Sequence, residues 1–592
     1  MSLTNDQQSV ISGQPRVNVA DRLTGVTRQM PDAVAVAAPG RGDVAGKNTY
    51  STCSFAELDR DATALARGLV EMGVLPGTRL VLMVRPGTEF VKLVFALLRS
   101  GATTVLIDPG MGRKHLVNCL ASVEPEGFVA ISPAHAVRTV LRYRFSKAKF
   151  NITVGRRWFW RGKTYGQLLR LGQQSSIDLP LTLADDAAAI IYTSGSTGPP
   201  KGVLYTHQMF DTQAAEIAGH YDLQPGGFDL ACFPLFGLFN SAMGVTTVFP
   251  DMDFSRPASA DPQKLLAAAH DWQVTQAFAS PAVWDKLSLH CQRTGEMIPT
   301  LRKVFSCGAP VPAKVLKRTL DCVSADAEMH TPYGATESLP IATIEAAEVL
   351  GETAEKTDQG GGVCVGRRFD TVDWRVIRIT DEPIANIDET EQLPTGEIGE
   401  LIVRGPQVSP EYFVGNSPSA TGSADSHNAL AKIRDGERSW HRMGDVGYLD
   451  EQGRFWYCGR KAQRVVTKDG TLFTIPIEAQ VNAMQSVRRS ALVGIGNSPS
   501  QRPQIIVEIG YSWDEALDLM EDVLGHPNLE QASASVIQQF VESSDALHDF
   551  GPVLFHPSLP VDVRHNSKIN REQLAEWATK RLKSDSPPAT RH

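Results

Sequence analysis

The sequence predicts an α/β protein with largely parallel sheets, and three observations carry that expectation. Short apolar runs at residues 79–84, 103–107, 128–131 and 188–192 read as buried strands. Segments 56–72 and 89–98 repeat apolar residues at helical spacing. The two kinds alternate along the chain, and helices that cross over between strands leave those strands parallel. At 592 residues the chain exceeds one hydrophobic core, so two or more domains are expected. No repeat of fixed period is present.

In chain order, residues 1–15 are polar and lack the basic-then-apolar profile of a signal peptide. The run 138–163 holds nine basic residues and no acidic one, interleaved with Tyr143, Phe145, Phe150, Trp158, Phe159 and Trp160. It reads either as a solvated positive face with core aromatics or as a docking patch for a membrane surface or an acidic partner protein. From Leu230 to Pro250 there is no charged residue, enough to span a bilayer. Pro234, Gly237, Asn240 and Gly244 interrupt it, so a buried wall is expected instead. Residues 416–428 are rich in Ser, Gly, Ala and Asp and read as a mobile surface loop. After Gly459 and Arg460 the pattern restarts, which places domains at 1–460 and 461–592. Residues 584–592 read as disordered.

Composition narrows the classes. Hydrophobic residues at 42% and charged residues at 21% suit a soluble globular protein. A formal net charge of -8 excludes nucleic acid as the main partner, because few cations are available to displace counterions. Eight widely spaced cysteines without a CxxC pair read as reduced, buried thiols in a cytoplasmic protein. Fourteen histidines form no HExxH, which disfavours a zinc hydrolase.

The strongest chemical signal runs from Tyr192 to Gly202, directly after the apolar run 188–192. Thr193, Ser194, Gly195, Ser196, Thr197 and Gly198 are followed by Pro199, Pro200 and Lys201. Hydroxyls donate, glycines let backbone N–H groups approach, and lysine neutralises charge, which is what a loop around polyphosphate oxygens needs. It is not a Walker A loop, since no Ser or Thr follows Lys201.

This segment resembles the signature loop of the adenylate-forming superfamily of acyl-CoA synthetases, adenylation domains and luciferase. The resemblance continues in order through Cys307-Gly308-Ala309-Pro310, Tyr333-Gly334-Ala335-Thr336-Glu337, His441-Arg442-Met443-Gly444-Asp445, Gly459-Arg460 and Ser567-Lys568-Ile569-Asn570-Arg571. It implies doubly wound α/β subdomains plus a distorted barrel in the large N-terminal domain, and a small, mobile α+β C-terminal domain. It also implies ATP and Mg²⁺ as cofactors. Tyr333 would stack on adenine, with Gly308, Ala309, Pro310 and Gly334 lining that pocket. Thr336 would contact phosphate, Glu337 would ligate the metal, and Asp445 and Arg460 would face the ribose. Lys201 and Lys568 would serve the α-phosphate.

The departures are informative. Gly237 stands where many relatives carry histidine, so an aromatic gate is in doubt. The hinge segment 459–470 is one residue longer than usual, and its expected charged residue falls on Ala462 or Gln463. The block from Asp562 to Ile569 is similar to the β-lactone synthetases of bacterial long-chain olefin biosynthesis. That likeness implies a hydrophobic β-hydroxy acid substrate and a complex with other olefin-pathway enzymes, while peripheral membrane contact is the reading of the basic run 138–163. The alternative is a long-chain acyl-CoA synthetase.

Overall fold

The computed structural model describes residues 16–40, 49–108, 111–192, 200–415, 426–484, 487–510, 537–539, 541, 550–561 and 569–584. The readings made for 1–15, for most of 416–428 and for 585–592 lie outside these residues. Asn428, at the edge of the expected loop, is tied down. It accepts the Tyr412 amide at 2.8 Å and donates to the Tyr412 carbonyl at 3.0 Å.

Two seven-stranded sheets form the bulk of the large N-terminal domain. The first contains β3 (Arg79–Met83), β4 (Thr103–Ile107), β5 (Gly127–Ile131), β6 (Phe150–Val154), β7 (Lys163–Thr164), β8 (Ala187–Tyr192) and β9 (Gly202–Thr206). Its order is β7-β6-β5-β3-β4-β8-β9, all parallel except the β8–β9 pair. The second contains β1 (Val34–Pro39), β2 (Tyr50–Ser54), β10 (Phe228–Ala231), β11 (Thr246–Val248), β12 (Gln276–Ala279), β13 (Lys303–Ser306) and β14 (Glu328–His330). Its order is β14-β13-β12-β10-β11-β1-β2, antiparallel only at β1–β2. The expected parallel strands are therefore present, each within a residue of the apolar run that announced it.

Local chemistry sets the element ends. Helix Phe55–Glu71 opens on a capping box. The Glu57 amide donates to Ser54 Oγ at 3.2 Å, and the Ser54 amide donates to the Glu57 carboxylate at 3.0 Å. Its Phe55, Leu58, Ala62, Leu65 and Leu69 stripe is buried, each large side chain contributing about 2 kcal/mol. This helix crosses helix Tyr165–Gln173 at near contact. A Cβ on Gly172 would lie 1.6 Å from the Ala64 carbonyl oxygen.

The uncharged run 230–250 is a buried wall, as expected. It holds β10, helix Phe236–Met243 and β11. A Cβ on Gly237 would sit 3.2 Å from Phe249 Cζ and 3.4 Å from Thr247 Cγ2, so a larger side chain needs its neighbours to shift. Among the described residues no helix is long and apolar enough to cross a membrane. All eight cysteines are free thiols, buried except for half-buried Cys307.

The remaining strands are antiparallel, where the distorted barrel was expected. A six-stranded sheet joins β17 (Val363–Cys364), β23 (Phe455–Arg460), β22 (Arg438–Leu449), β20 (Gly399–Arg404) and β19 (Asp373–Ile377), with β21 (Lys432–Asp435) on β22. Beside it, β15 (Tyr333–Ala335), β16 (Ser338–Thr343) and β18 (Arg367–Arg368) form a three-stranded sheet. The smaller C-terminal domain is α+β. It has the hairpin β24 (Val465–Val466) and β25 (Thr471–Leu472), helix Thr474–Asn482, and a sheet of β26 (Val487–Ile495), β27 (Arg502–Ile509) and β28 (Leu554–Phe555). Helix Arg571–Ser584 closes it.

Gly172→Ala should lower the thermal midpoint, because the added methyl meets backbone and overpacking costs about 1–3 kcal/mol. An unchanged midpoint in scanning calorimetry would show that the two helices separate freely.

Candidate active site

Parallel sheets present their functional loops at the carboxyl ends of strands, and both sheets here do so toward one cavity of about 3060 Å³. Strand β8 ends at Tyr192, which pairs with Gly202 at the start of β9. Lys201 therefore closes a hairpin. Strand β13 ends at Ser306, just before Cys307 and Gly308, and β14 ends at His330, just before Tyr333. Every candidate residue among those described lines this cavity: Lys201, Gly308, Ala309, Pro310, Tyr333, Gly334, Thr336, Glu337, Asp445 and Arg460. Thr193, Ser194, Gly195, Ser196, Thr197, Gly198 and Lys568 lie outside the described residues.

Tyr333, Asp445 and Arg460 form one cluster. Asp445 and Arg460 face each other across the β22–β23 pair, with a 3.0 Å ion contact. Arg460 also donates to the Met443 carbonyl at 3.1 Å. The Tyr333 hydroxyl donates to Asp445, while its ring packs near Phe455 and Tyr457. Burial, and then the Asp445 charge, push the Tyr333 phenol well above its ordinary pKa. The charge of Asp445 likewise raises Arg460.

A second cluster surrounds Glu337. The Tyr412 hydroxyl donates to Glu337 Oε1 at 2.7 Å. Lys201 Nζ lies 4.9 Å and Lys432 Nζ 5.8 Å from the Tyr412 ring centroid, so the ring sits within reach of two cations. Lys432 donates to the Ser409 carbonyl. Burial brings Lys432 down to about 7, against the opposing pull of Glu337 and Glu411, and also lowers Lys201. The Thr336 carbonyl accepts from the buried Tyr205 hydroxyl, and the Glu337 carbonyl accepts from the Ser409 amide at 2.8 Å. Tyr412 and Lys432 escaped the sequence reading. No short motif marks them; only their contacts do.

Other residues of the quoted motifs serve structure. Arg442 is buried against Glu400, with each side chain 1% exposed, and Lys461 joins that carboxylate at 3.0 Å. His441 is buried and held well below its usual pKa by burial and Lys432, so it stays neutral. At the hinge, Gln463 accepts from Arg571 Nε at 3.2 Å, and Arg571 pairs with Glu478. Ala462 and Gln463 thus leave the hinge without a charge of their own, but its flanks are anchored.

A hard carboxylate beside an ammonium suits a magnesium–phosphate complex, and Glu337 with Lys201 supplies that donor chemistry. Among the described residues no group of three or more His, Cys, Asp or Glu could hold a metal alone.

The fold and site together define an adenylate-forming ligase. The chain superimposes on the amide bond synthetase McbA from Marinactinospora thermotolerans with a TM-score of 0.71 at 20% identity, covering 95% of this chain and 100% of that one. It belongs to the AMP-binding enzyme family, whose pattern matches residues 24–413. It is 43% identical to an olefin beta-lactone synthetase of Stenotrophomonas maltophilia, over 95% of this chain and 98% of that protein. A second olefin beta-lactone synthetase, from Xanthomonas campestris, is 41% identical over 95% and 97%. A feruloyl-CoA synthase from Amycolatopsis reaches only 27% over 75% of this chain.

One buried group in the cavity wall carries a pH signature. Asp229 is 1% exposed and accepts from Asn240 Nδ2 at 2.7 Å. Burial raises its pKa to about 7, despite hydrogen bonds from Asn240 and Gln276. Between the unfolded value near 4 and about 7 the folded chain holds the extra proton, so stability falls as pH rises through that window. Asp229→Asn should therefore raise the thermal midpoint more at pH 8 than at pH 5. An equal shift at both would show Asp229 charged throughout.

Proposed function

We propose that this chain is an ATP-dependent β-lactone synthetase acting on 2-alkyl-3-hydroxy fatty acids. The observation that carries the reading is identity above 40% to two olefin beta-lactone synthetases over nearly the whole of each chain. We also place the domain boundary after Arg460, giving 1–460 and 461–592, because β23 ends there and the hinge helix begins.

In the first step the substrate carboxylate attacks the α-phosphorus of ATP and pyrophosphate leaves. Lys201 and Lys568 offset the negative charge that gathers there. Thr193, Ser194, Gly195, Ser196, Thr197 and Gly198 wrap the phosphates, with Thr336 as a further contact. Gly308, Ala309, Pro310, Gly334 and the Tyr333 ring hold adenine, while Asp445 and Arg460 meet the ribose. Glu337, positioned by the Tyr412 hydroxyl, is the residue to hold Mg²⁺, which when bound neutralises phosphate charge.

In the second step the 3-hydroxyl oxygen attacks the activated carbonyl. A four-membered ring closes, AMP leaves, and the hydroxyl proton is lost. Attack within one molecule gains up to roughly 7–11 kcal/mol in favourable geometry, which offsets ring strain. No thiol acceptor is needed, in keeping with a hinge that lacks its usual charge at Ala462 and Gln463. Eight free thiols accord with a cytoplasmic site of action.

A 2-alkyl-3-hydroxy acid, ATP and Mg²⁺ should suffice to give β-lactone, AMP and pyrophosphate, with coenzyme A changing neither rate nor product. The analogue lacking the 3-hydroxyl should be adenylated and go no further. Its coenzyme-A-dependent conversion to a thioester would restore the acyl-CoA synthetase reading.

Lys568→Ala should reduce pyrophosphate release by about 100-fold or more, the loss of about 3 kcal/mol expected when one preorganised charge is removed. Full activity in that variant would remove Lys568 from the reaction.

A further inference from the structure

Segment 138–163 takes no part in the chemistry above; β6, Phe145, Phe150 and Trp160 are buried within it, and the stretches before and after β6 are exposed. Trp160 anchors the stretch after β6. It is buried, stacks on His135 of helix Ser132–Val140 with centroids 5.6 Å apart, and donates its indole N–H to Thr153 Oγ1 at 2.9 Å. The Ser132 hydroxyl donates to the Arg156 carbonyl and ties the helix start to the same loop. With Trp160 fixed, Trp158 and Phe159 are turned outward, 51% and 75% exposed. Val140 and Tyr143, at the other end of the helix, are 77% and 75% exposed. Trp158 and Phe159, adjacent and both packed on the Trp160 ring, form an exposed apolar pair of the kind that marks a surface made to be covered.

Every charge that the segment itself contributes is positive. Arg142, Arg156, Arg157, Arg161 and Lys163 form no ion pair among the described residues, and Arg157 donates to the Gly162 carbonyl. Lys147 is paired with Glu124 at 2.9 Å, and Arg144 donates to Asn118, so neutralisation is confined to one edge. The whole chain carries a net charge of -8, so attraction to an anionic surface has to come from a local concentration of cations such as this one.

Arginines among outward tryptophan, tyrosine and phenylalanine match the headgroup boundary of an anionic bilayer. Cations meet lipid phosphates there while the rings settle at the acyl edge. The same helix also reaches the cavity: Pro133, Ala134 and Val137 line it, and Val137 is 52% exposed, so the cavity meets the surface beside the patch. We propose that this face docks on an anionic lipid bilayer and brings the cavity mouth against the membrane. The reason for docking, uptake of a two-chain acid from the lipid phase, rests on the function proposed above. The docking itself does not.

The test is co-sedimentation of the full chain with vesicles of phosphatidylcholine alone or mixed equally with phosphatidylglycerol. Wild type should bind the mixed vesicles and release as salt shortens the Debye length. The Arg156→Glu, Arg157→Glu, Arg161→Glu triple variant should lose about 100-fold in partition coefficient, since each cation near the surface is worth about five-fold. Trp158→Ala with Phe159→Ala should also weaken binding, leaving Trp160 in place to keep the fold. Turnover of a short-chain, soluble 3-hydroxy acid should be unchanged in both, which separates failed docking from a failed reaction. Wild type that ignores phosphatidylglycerol vesicles, or variants that bind as well as wild type, would overturn the proposal. So would salt-sensitive binding to an acidic protein without binding to vesicles.

Discussion

The buried contact between Arg442 and Glu400 is the constraint on which the site depends. Arg442 donates to Glu400 from Nε at 3.1 Å and from Nη2 at 2.6 Å, and further donates to the Thr380 and Glu382 carbonyls. Lys461 adds a second cation to the same carboxylate. Removing one partner of such a pair strands a buried charge and costs about 3–5 kcal/mol. The consequence is positional. Asp445 lies three residues beyond Arg442 on β22, and Arg460 lies just before Lys461 at the end of β23. One carboxylate on β20 thus anchors both strands that carry the Asp445–Arg460 pair.

Around that frame the cavity has a mixed lining. Lys201, Glu337, Asp445 and Arg460 line it, and so do Phe233, Leu235, Leu238, Phe239, Met243 and Phe249 of the uncharged run. Just before that run, burial raises the Asp229 carboxyl to about 7, so it is neutral below that pH and charged above it. Burial also keeps His441 uncharged, so added positive charge near Arg460 is avoided. A low local dielectric then strengthens whatever charge interactions remain. This lining suits a reaction in which anionic phosphates and long apolar chains meet at one carboxyl carbon.

Much of this was legible in the residues. Apolar runs found their strands, and the helical spacing at 56–72 found the helix Phe55–Glu71. Gly237, noted as a departure, has a local cause in Phe249 and Thr247 pressed against it. The motifs placed ten described residues on one cavity. What escaped was the company they keep. Tyr412 lies 75 positions from Glu337, and Tyr205 lies 131 from Thr336. No periodicity links residues so far apart, because periodicity reports only which face of one element is buried.

The sequence by itself determined the four apolar strands and two helical segments it announced, their order, and the residue types that the motifs bring to the cavity. These depend on neighbours within a few residues, through spacing, capping and side-chain chemistry. Tertiary structure alone decided that β1 and β2 join the second sheet instead of the first, and that β9 runs against β8. It alone set Lys432 beside Tyr412 and joined Lys461 to Glu400. Those pairings follow from burying two faces and satisfying every buried charge at once, a condition on the whole chain that no local stretch contains.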